Sequence, residues 1–194
     1  MVEKIRIKTP FRPVYPSPAA LIVSVDEHKK SNIMTAGEVF NIGLKSPAII
    51  GIAIRKATYT HSLITKTMEF TVNFPTMDIL DKVDLVGTIS GRNGLDKFAE
   101  YKLTALKSDE VIPPIVEECP VNLECKALSI TPVGDHDLIL GEVVAMHVDA
   151  DKLDDNQKIL IEQVKGFLYA EWAYYAFGEK IGEFGYTRNR EEGK

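Results

Sequence analysis

The sequence predicts a mainly β protein: a closed or nearly closed, Greek-key-like β-barrel with short peripheral helices. Three observations predict it. Apolar, β-branched runs recur at short spacing with turn residues between them. Stretches with helical period are few and short. The alternating strand–helix rhythm of a doubly wound sheet is missing, and with it the phosphate loops, since no G-x-G-x-x-G follows a strand and no G-x-x-x-x-G-K-[ST] occurs.

In chain order, AALIVSV (19–25) reads as an apolar strand ended by the polar DEHKKSN, after which IMTAGEVFNIGL resumes as the second arm of a hairpin. SPAIIGIAI (46–54) is an almost unbroken Ile and Ala run, the pattern of a strand buried on both faces, and Gly51 marks where another backbone or a ligand comes close. HSLITKT carries helical spacing with Leu63 and Ile64 inward, and EFTVNF alternates with period two before Pro75 stops it. In TMDILDKVDLVGTIS, Met77, Ile79, Leu80, Val83 and Val86 repeat at helical spacing, with Thr76 or Asp78 as the start and Gly87 closing or loosening the end. GRNGLDKFAEYKLT is a loop feeding a short helix. The prolines of PPIVEECPVNLECKALSITPV return the chain to strand, and Gly134-Asp135 turns it into a long hairpin through HDLILGEVVAMHVD. From Asn156 the chain reads as helical and aromatic, with Gly178 as a helix C-cap. Its rings, Trp172, Tyr174, Tyr175 and Phe177 among them, are candidates for a subunit contact, for one wall of a ligand pocket, or for a cap on the barrel's own open end.

The 194 residues fit one domain, with the barrel over about 15–150 and a C-terminal extension over 151–194. A formal net charge of −5 with no basic block argues against a nucleic-acid surface. No apolar stretch approaches the roughly 20 residues of a membrane span, and MVEKIRIKTPF is too polar for a signal sequence, so the expected place is the cytosol. Cys119 and Cys125 lack the spacing of a redox pair and read as free thiols. His28 and His147 read as structural or exposed, His136 as a turn-stabilising or ligand-facing residue, and no metal site is expected.

The densest chemistry lies in RKATYTHS. Arg55 and Lys56 are followed by the hydroxyls of Thr58, Tyr59, Thr60 and Ser62 and by a helix start. A cation pair, hydroxyls and free amide N–H groups at a helix N-terminus are what a phosphate monoester requires. The plain alternative is a solvated strand end with Thr60 as the helix cap.

The order NIMTAGEVF, SPAIIGIAIRKATYTHSLITKTMEFTVNFP, SGRNGLDKF, GDHDLILGEVV resembles the flavin reductase-like family of FMN-binding split β-barrels over roughly residues 19–148, with Gly134-Asp135-His136 through Gly141 and Val143 as the most specific single match. The resemblance implies that Arg55, Lys56, Thr58, Thr60 and His61 hold the ribityl phosphate of FMN, with FAD as the variant cofactor. It places Asn32, Met34, Thr35 and Ala36 along the flavin ring, and makes Ser90, Gly91 and Lys97 secondary phosphate or ribityl contacts, for which a capping loop with a solvated Lys is the alternative. It also implies a homodimer that takes electrons from the small molecule NAD(P)H and passes them to an acceptor, whether free flavin, a ferric chelate, a protein or a small organic molecule, or else a carrier that holds flavin without using nicotinamide. The segment YAEWAYYAFGEKIGEFG departs from the glycine-rich Tyr segment of flavoredoxins.

Overall fold

The computed structural model describes residues 2–8, 11 and 13–188. A short β1 (Ser17–Pro18) precedes β2 (Ala20–Val25), whose six residues are all buried. Asp26 turns the chain there by accepting the backbone N–H groups of His28 and Lys30 on its carboxylate, which sends β3 (Ser31–Ala36) back against β2. After Gly37 and Glu38 the chain runs through β4 (Val39–Gly43) and β5 (Ile49–Arg55), then α1 (Tyr59–Thr67) and β6 (Glu69–Phe74). A 3₁₀ turn (Met77–Ile79) leads into α2 (Leu80–Thr88), and α3 (Lys97–Glu100) follows a second 3₁₀ turn at Gly91–Asn93. The small ladder of β7 (Ala105–Leu106) and β8 (Ile115–Val116) precedes the long hairpin of β9 (Val121–Val133) and β10 (His136–Val148).

Seven strands form one antiparallel sheet in the order β3-β2-β6-β9-β10-β5-β4. The expected closed barrel is therefore corrected: the ladder is open between β3 and β4. Among the described residues β3 pairs only with β2 and β4 only with β5, so the chain bends at Gly37–Glu38 and leaves one ladder to enter the other. One core cluster fills the inside of the curled sheet, with Ile22, Ile52, Ile54, Phe70, Val72 and Ile139. The other, with Leu21, Val23, Ile33, Val83, Val86 and Phe98, packs α2 and α3 on the opposite face of β2 and β3. Asn73 ties the edges of this arrangement together: its amide donates to Leu21 O and Thr71 Oγ1, and its carbonyl oxygen accepts from Val116 N and Asn122. The close approach at Gly51 comes from a side chain, because a Cβ there would lie 2.5 Å from the ring of Phe40 on the paired strand.

The C-terminal segment also differs from its helical expectation. Among the described residues of this segment α4 (Ile161–Val164) is the one α-helix, and β11 (Phe167–Ala170) and β12 (Ala173–Ala176) form a hairpin that β1 extends to three strands. Aromatic side chains favour a pleated surface, and the cross-strand pairs Leu168 with Tyr175 and Tyr169 with Tyr174 satisfy that preference. Gly178 follows a strand, so it caps no helix.

Candidate functional site

A cleft of about 900 Å³ opens between the sheet and the C-terminal hairpin. Its floor is Met34, Thr35 and Ala36 of β3, with Ala53 of β5 beside them. Arg55, Thr58 and His136 reach it from the end of β5, the start of α1 and the start of β10. Asp84, Gly87 and Thr88 come from α2, and Tyr169, Trp172 and Tyr174 come from the hairpin. Gly87 serves packing: a Cβ there would meet Thr35 at 3.0 Å, and Thr35 Oγ1 donates to Val83 O, so α2 lies directly on β3.

Thr58, not Thr60, caps α1. Its hydroxyl donates to Arg55 O at 2.9 Å and accepts from His61 N at 3.2 Å, which fixes the turn that carries Arg55 into the cleft. Thr60 is buried, and its hydroxyl accepts from the Asn32 amide at 2.8 Å; Gly91 is buried against the same Asn32. Lys56 and His61 both turn to Asp137, at 3.3 and 2.8 Å. Burial works to raise the Asp137 carboxyl, but the His61 ring and the Lys56 ammonium outweigh it and hold the group below the usual carboxylate range.

Of the sequence-derived candidates, Met34, Thr35, Ala36, Arg55 and Thr58 thus meet in one cleft. Asn32, Thr60 and Gly91 form the seam between α1 and β3, and Lys56 and His61 form a cluster on Asp137. Ser90 accepts from Arg92 N as a cap of its 3₁₀ turn. Lys97 is not solvated: it is buried, donates to Ile33 O at 3.0 Å and Val86 O at 2.8 Å, and burial pulls its pKa down to about 8. Arg92, in the same SGRNGLDKF loop, donates from its guanidinium to Ala57 O at 3.1 Å, just ahead of α1. Phe11, Asp84 and Glu38 also line the cleft, and no local pattern in the sequence marks them.

His136 is 2.9 Å from the Asp135 carboxylate in the hairpin turn. Asp109, Glu124 and His147 bring one ligand-type atom each within 4.8 Å of one another. The Glu124 carboxylate is already filled, since it accepts from the amides of Asp109, Glu110 and Val111 and is 2.6 Å from His147 Nε2. Cys119 and Cys125 are buried free thiols, and burial pushes both above their usual range.

The hairpin tip is strained. Glu171 and Trp172 have φ of 48° and 65°, left-handed values that cost a non-glycine residue roughly 1–2 kcal/mol each. Tyr174 holds the hairpin to α2, its hydroxyl donating to Asp84 Oδ1 at 2.9 Å. Burial first, and then the Asp84 carboxylate, holds that phenol well above its usual range.

The flavin reductase like domain family matches residues 12–177. The chain belongs to this family. The structure is similar to that of the flavoredoxin of Desulfovibrio vulgaris (Miyazaki F), with a TM-score of 0.84 and 31% identity over 94% of this chain and 97% of that one. The flavoredoxin from Methanosarcina acetivorans has a TM-score of 0.86 and 26% identity over 98% of this chain and 100% of its own. In sequence, the NADH:riboflavin 5'-phosphate oxidoreductase of Streptomyces pristinaespiralis is 28% identical over 129 residues, 66% of this chain and 69% of the relative. Among the described residues of this flavin reductase-like chain, no helix is long and apolar enough to cross a membrane.

Proposed function

We propose that the cleft binds FMN and that the protein is an NAD(P)H-dependent flavin reductase or flavoredoxin-type oxidoreductase, passing electrons from nicotinamide through the flavin to an acceptor. The observation that carries this is a single cleft joining the β3 floor of Met34, Thr35 and Ala36 to the Arg55 cation and to Thr58, the residue that caps α1. The residues fit the cofactor's chemistry. The first amides of a helix have no intrahelical partner and attract an anion, the Arg55 guanidinium adds charge, and Ala36 and Ala53 leave room for a flat ring. Bound flavin would supply hydride acceptance and onward one- or two-electron transfer. The chain's own residues bind, orient and exclude water. Arg55 would take the phosphate end, with Thr58 fixing the turn that presents it, and Met34, Thr35 and Ala36 would face the ring. Lys56 and His61 steady the α1 turn through Asp137, Asn32, Thr60 and Gly91 fix α1 against β3, and Ser90 and Lys97 fix the loop and α2 behind it. The purified protein, or the protein reconstituted with FMN, should show a bound-flavin absorbance spectrum that NADH or NADPH bleaches under anaerobic conditions. No flavin binding refutes the reading, and binding without bleaching by either nicotinamide reduces it to a flavin carrier.

The same reading takes the working form to be a homodimer in the cytosol. An apolar groove of about 500 Å³ between β4 and the C-terminal segment is lined by Phe40, Leu44, Met146, Ile161 and Phe177. Leu44 is 78% exposed beside it, and a second copy would bury this edge strand. Light scattering after size exclusion should give twice the 21.6 kDa chain mass, and Leu44→Glu should shift it toward the single chain. A monomer with full flavin content contradicts the dimer.

A further inference from the structure

The cleft holds a group of rings to which phosphate binding and the β3 floor give no role. Trp172, the single tryptophan of the chain, sits at the tip of the β11–β12 hairpin and is 72% exposed. Phe11, ahead of β1 in the chain, lies almost parallel to it, with ring centroids 5.5 Å apart and 13° between the planes. Tyr174 lines the same cleft, hydrogen-bonded to Asp84. An exposed indole on a left-handed turn is an expensive way to build a hairpin tip, and such strain persists where the surroundings over-determine it. The ring of Phe11 shows that one face of the indole takes a flat partner. Asp84, an exposed carboxylate on the same cleft, sets the sign of what can come beside it: a negatively charged ring meets a like charge, whereas a cationic ring is attracted by both the carboxylate and the aromatic faces.

We infer that Trp172, Tyr174 and Asp84 form a second-substrate subsite, one that stacks a planar neutral or cationic aromatic ring on Trp172 in place of Phe11 and turns away anionic rings. The subsite determines specificity on the nicotinamide or acceptor side of the reaction and takes its meaning from the flavin reading. Its existence is measurable apart from that reading.

Because Trp172 is the lone tryptophan, its emission reports the subsite directly. Three pyridines of one shape and different charge serve as probes: nicotinamide, the N-methylnicotinamide cation and nicotinate. The full chain is titrated as purified and again in excess FMN, and saturable quenching beyond the collisional quenching of free tryptophan is recorded. Nicotinamide and its cation should bind about fivefold tighter than nicotinate, as expected for one like charge a few ångströms away in a solvated cleft. Asp84→Asn should close that gap to about twofold, and Phe11→Ala should tighten all three by freeing the indole face. Equal binding of nicotinate, or a charge preference that survives Asp84→Asn, overturns the inference. Loss of all probe binding in excess FMN also overturns it, since the indole then belongs to the flavin itself. Failure to bind FMN with the charge preference intact sinks the flavin reading alone.

Discussion

Replacing Glu124 with Ala should lower unfolding stability by about 3–5 kcal/mol, the cost of removing one partner from a buried charged network. That is a large fraction of the roughly 5–15 kcal/mol that holds a domain folded. Glu124 stands in β9 with no solvent exposure, yet its oxygens accept three consecutive backbone N–H groups from the 109–111 loop. Those amides have no strand of their own, and the carboxylate is what closes the loop that brings β8 to β6. His147, on the paired strand, completes the cluster. Urea unfolding of the variant measures the loss, and a change under about 1 kcal/mol would mean that water replaces the carboxylate at no cost, against the ordinary penalty for buried unpaired donors.

The same cluster predicts an acid limb of stability. Burial alone would raise the Glu124 carboxyl above its ordinary 4.5, but the amides of Asp109 and Glu110, the His147 ring and the amide of Val111 outweigh it, so the folded value is lowered. A carboxyl depressed by folding binds fewer protons in the native state than in the unfolded chain, so its stabilisation is present above the unfolded value and is lost as pH falls through the folded one. The gap between the parent and Glu124→Ala should therefore be full near neutrality and narrow below about 4.5.

Much of this architecture is legible in the residues. The strands from β2 to β6 are written by β-branched runs and their breakers, and the Gly134-Asp135 turn by a residue pair that tolerates it. Closure of the barrel was not legible, because whether β3 meets β4 depends on the bend at Gly37–Glu38 and not on the composition of either strand. The C-terminal hairpin was misread for a related reason. FLYAEWAYYA has aromatic spacing that suits either period, and the two-residue turn that decides for strand carries Glu171 and Trp172 where glycine or asparagine would have announced it. At the site, adjacency in sequence grouped Arg55, Lys56 and His61 together. Only the register of β10 on β5, which sets Asp137 beside Ile54, shows that two of the three face a carboxylate and not the cleft.

That separation makes Arg55 the residue on which the phosphate reading turns. Arg55→Ala should weaken FMN binding by about 10–100-fold, the loss of one charge-assisted contact worth about 1.5–3 kcal/mol. Lys56→Ala should cost less, because its ammonium is already held 3.3 Å from Asp137 and reaches the cofactor only through the position of the α1 turn. Riboflavin supplies the control. It carries the same ring and ribityl chain without the phosphate, so it should bind the parent more weakly than FMN and bind Arg55→Ala about as it binds the parent. Because the contact is between a half-solvated cation and a dianion, the FMN preference should also shrink as salt is raised. Fluorescence titration of each flavin against each variant closes the cycle. Equal losses for FMN and riboflavin would mean that Arg55 supports the ring or the fold, and equal affinities for the two flavins in the parent would return Arg55 and Thr58 to the role of a strand end and a helix cap.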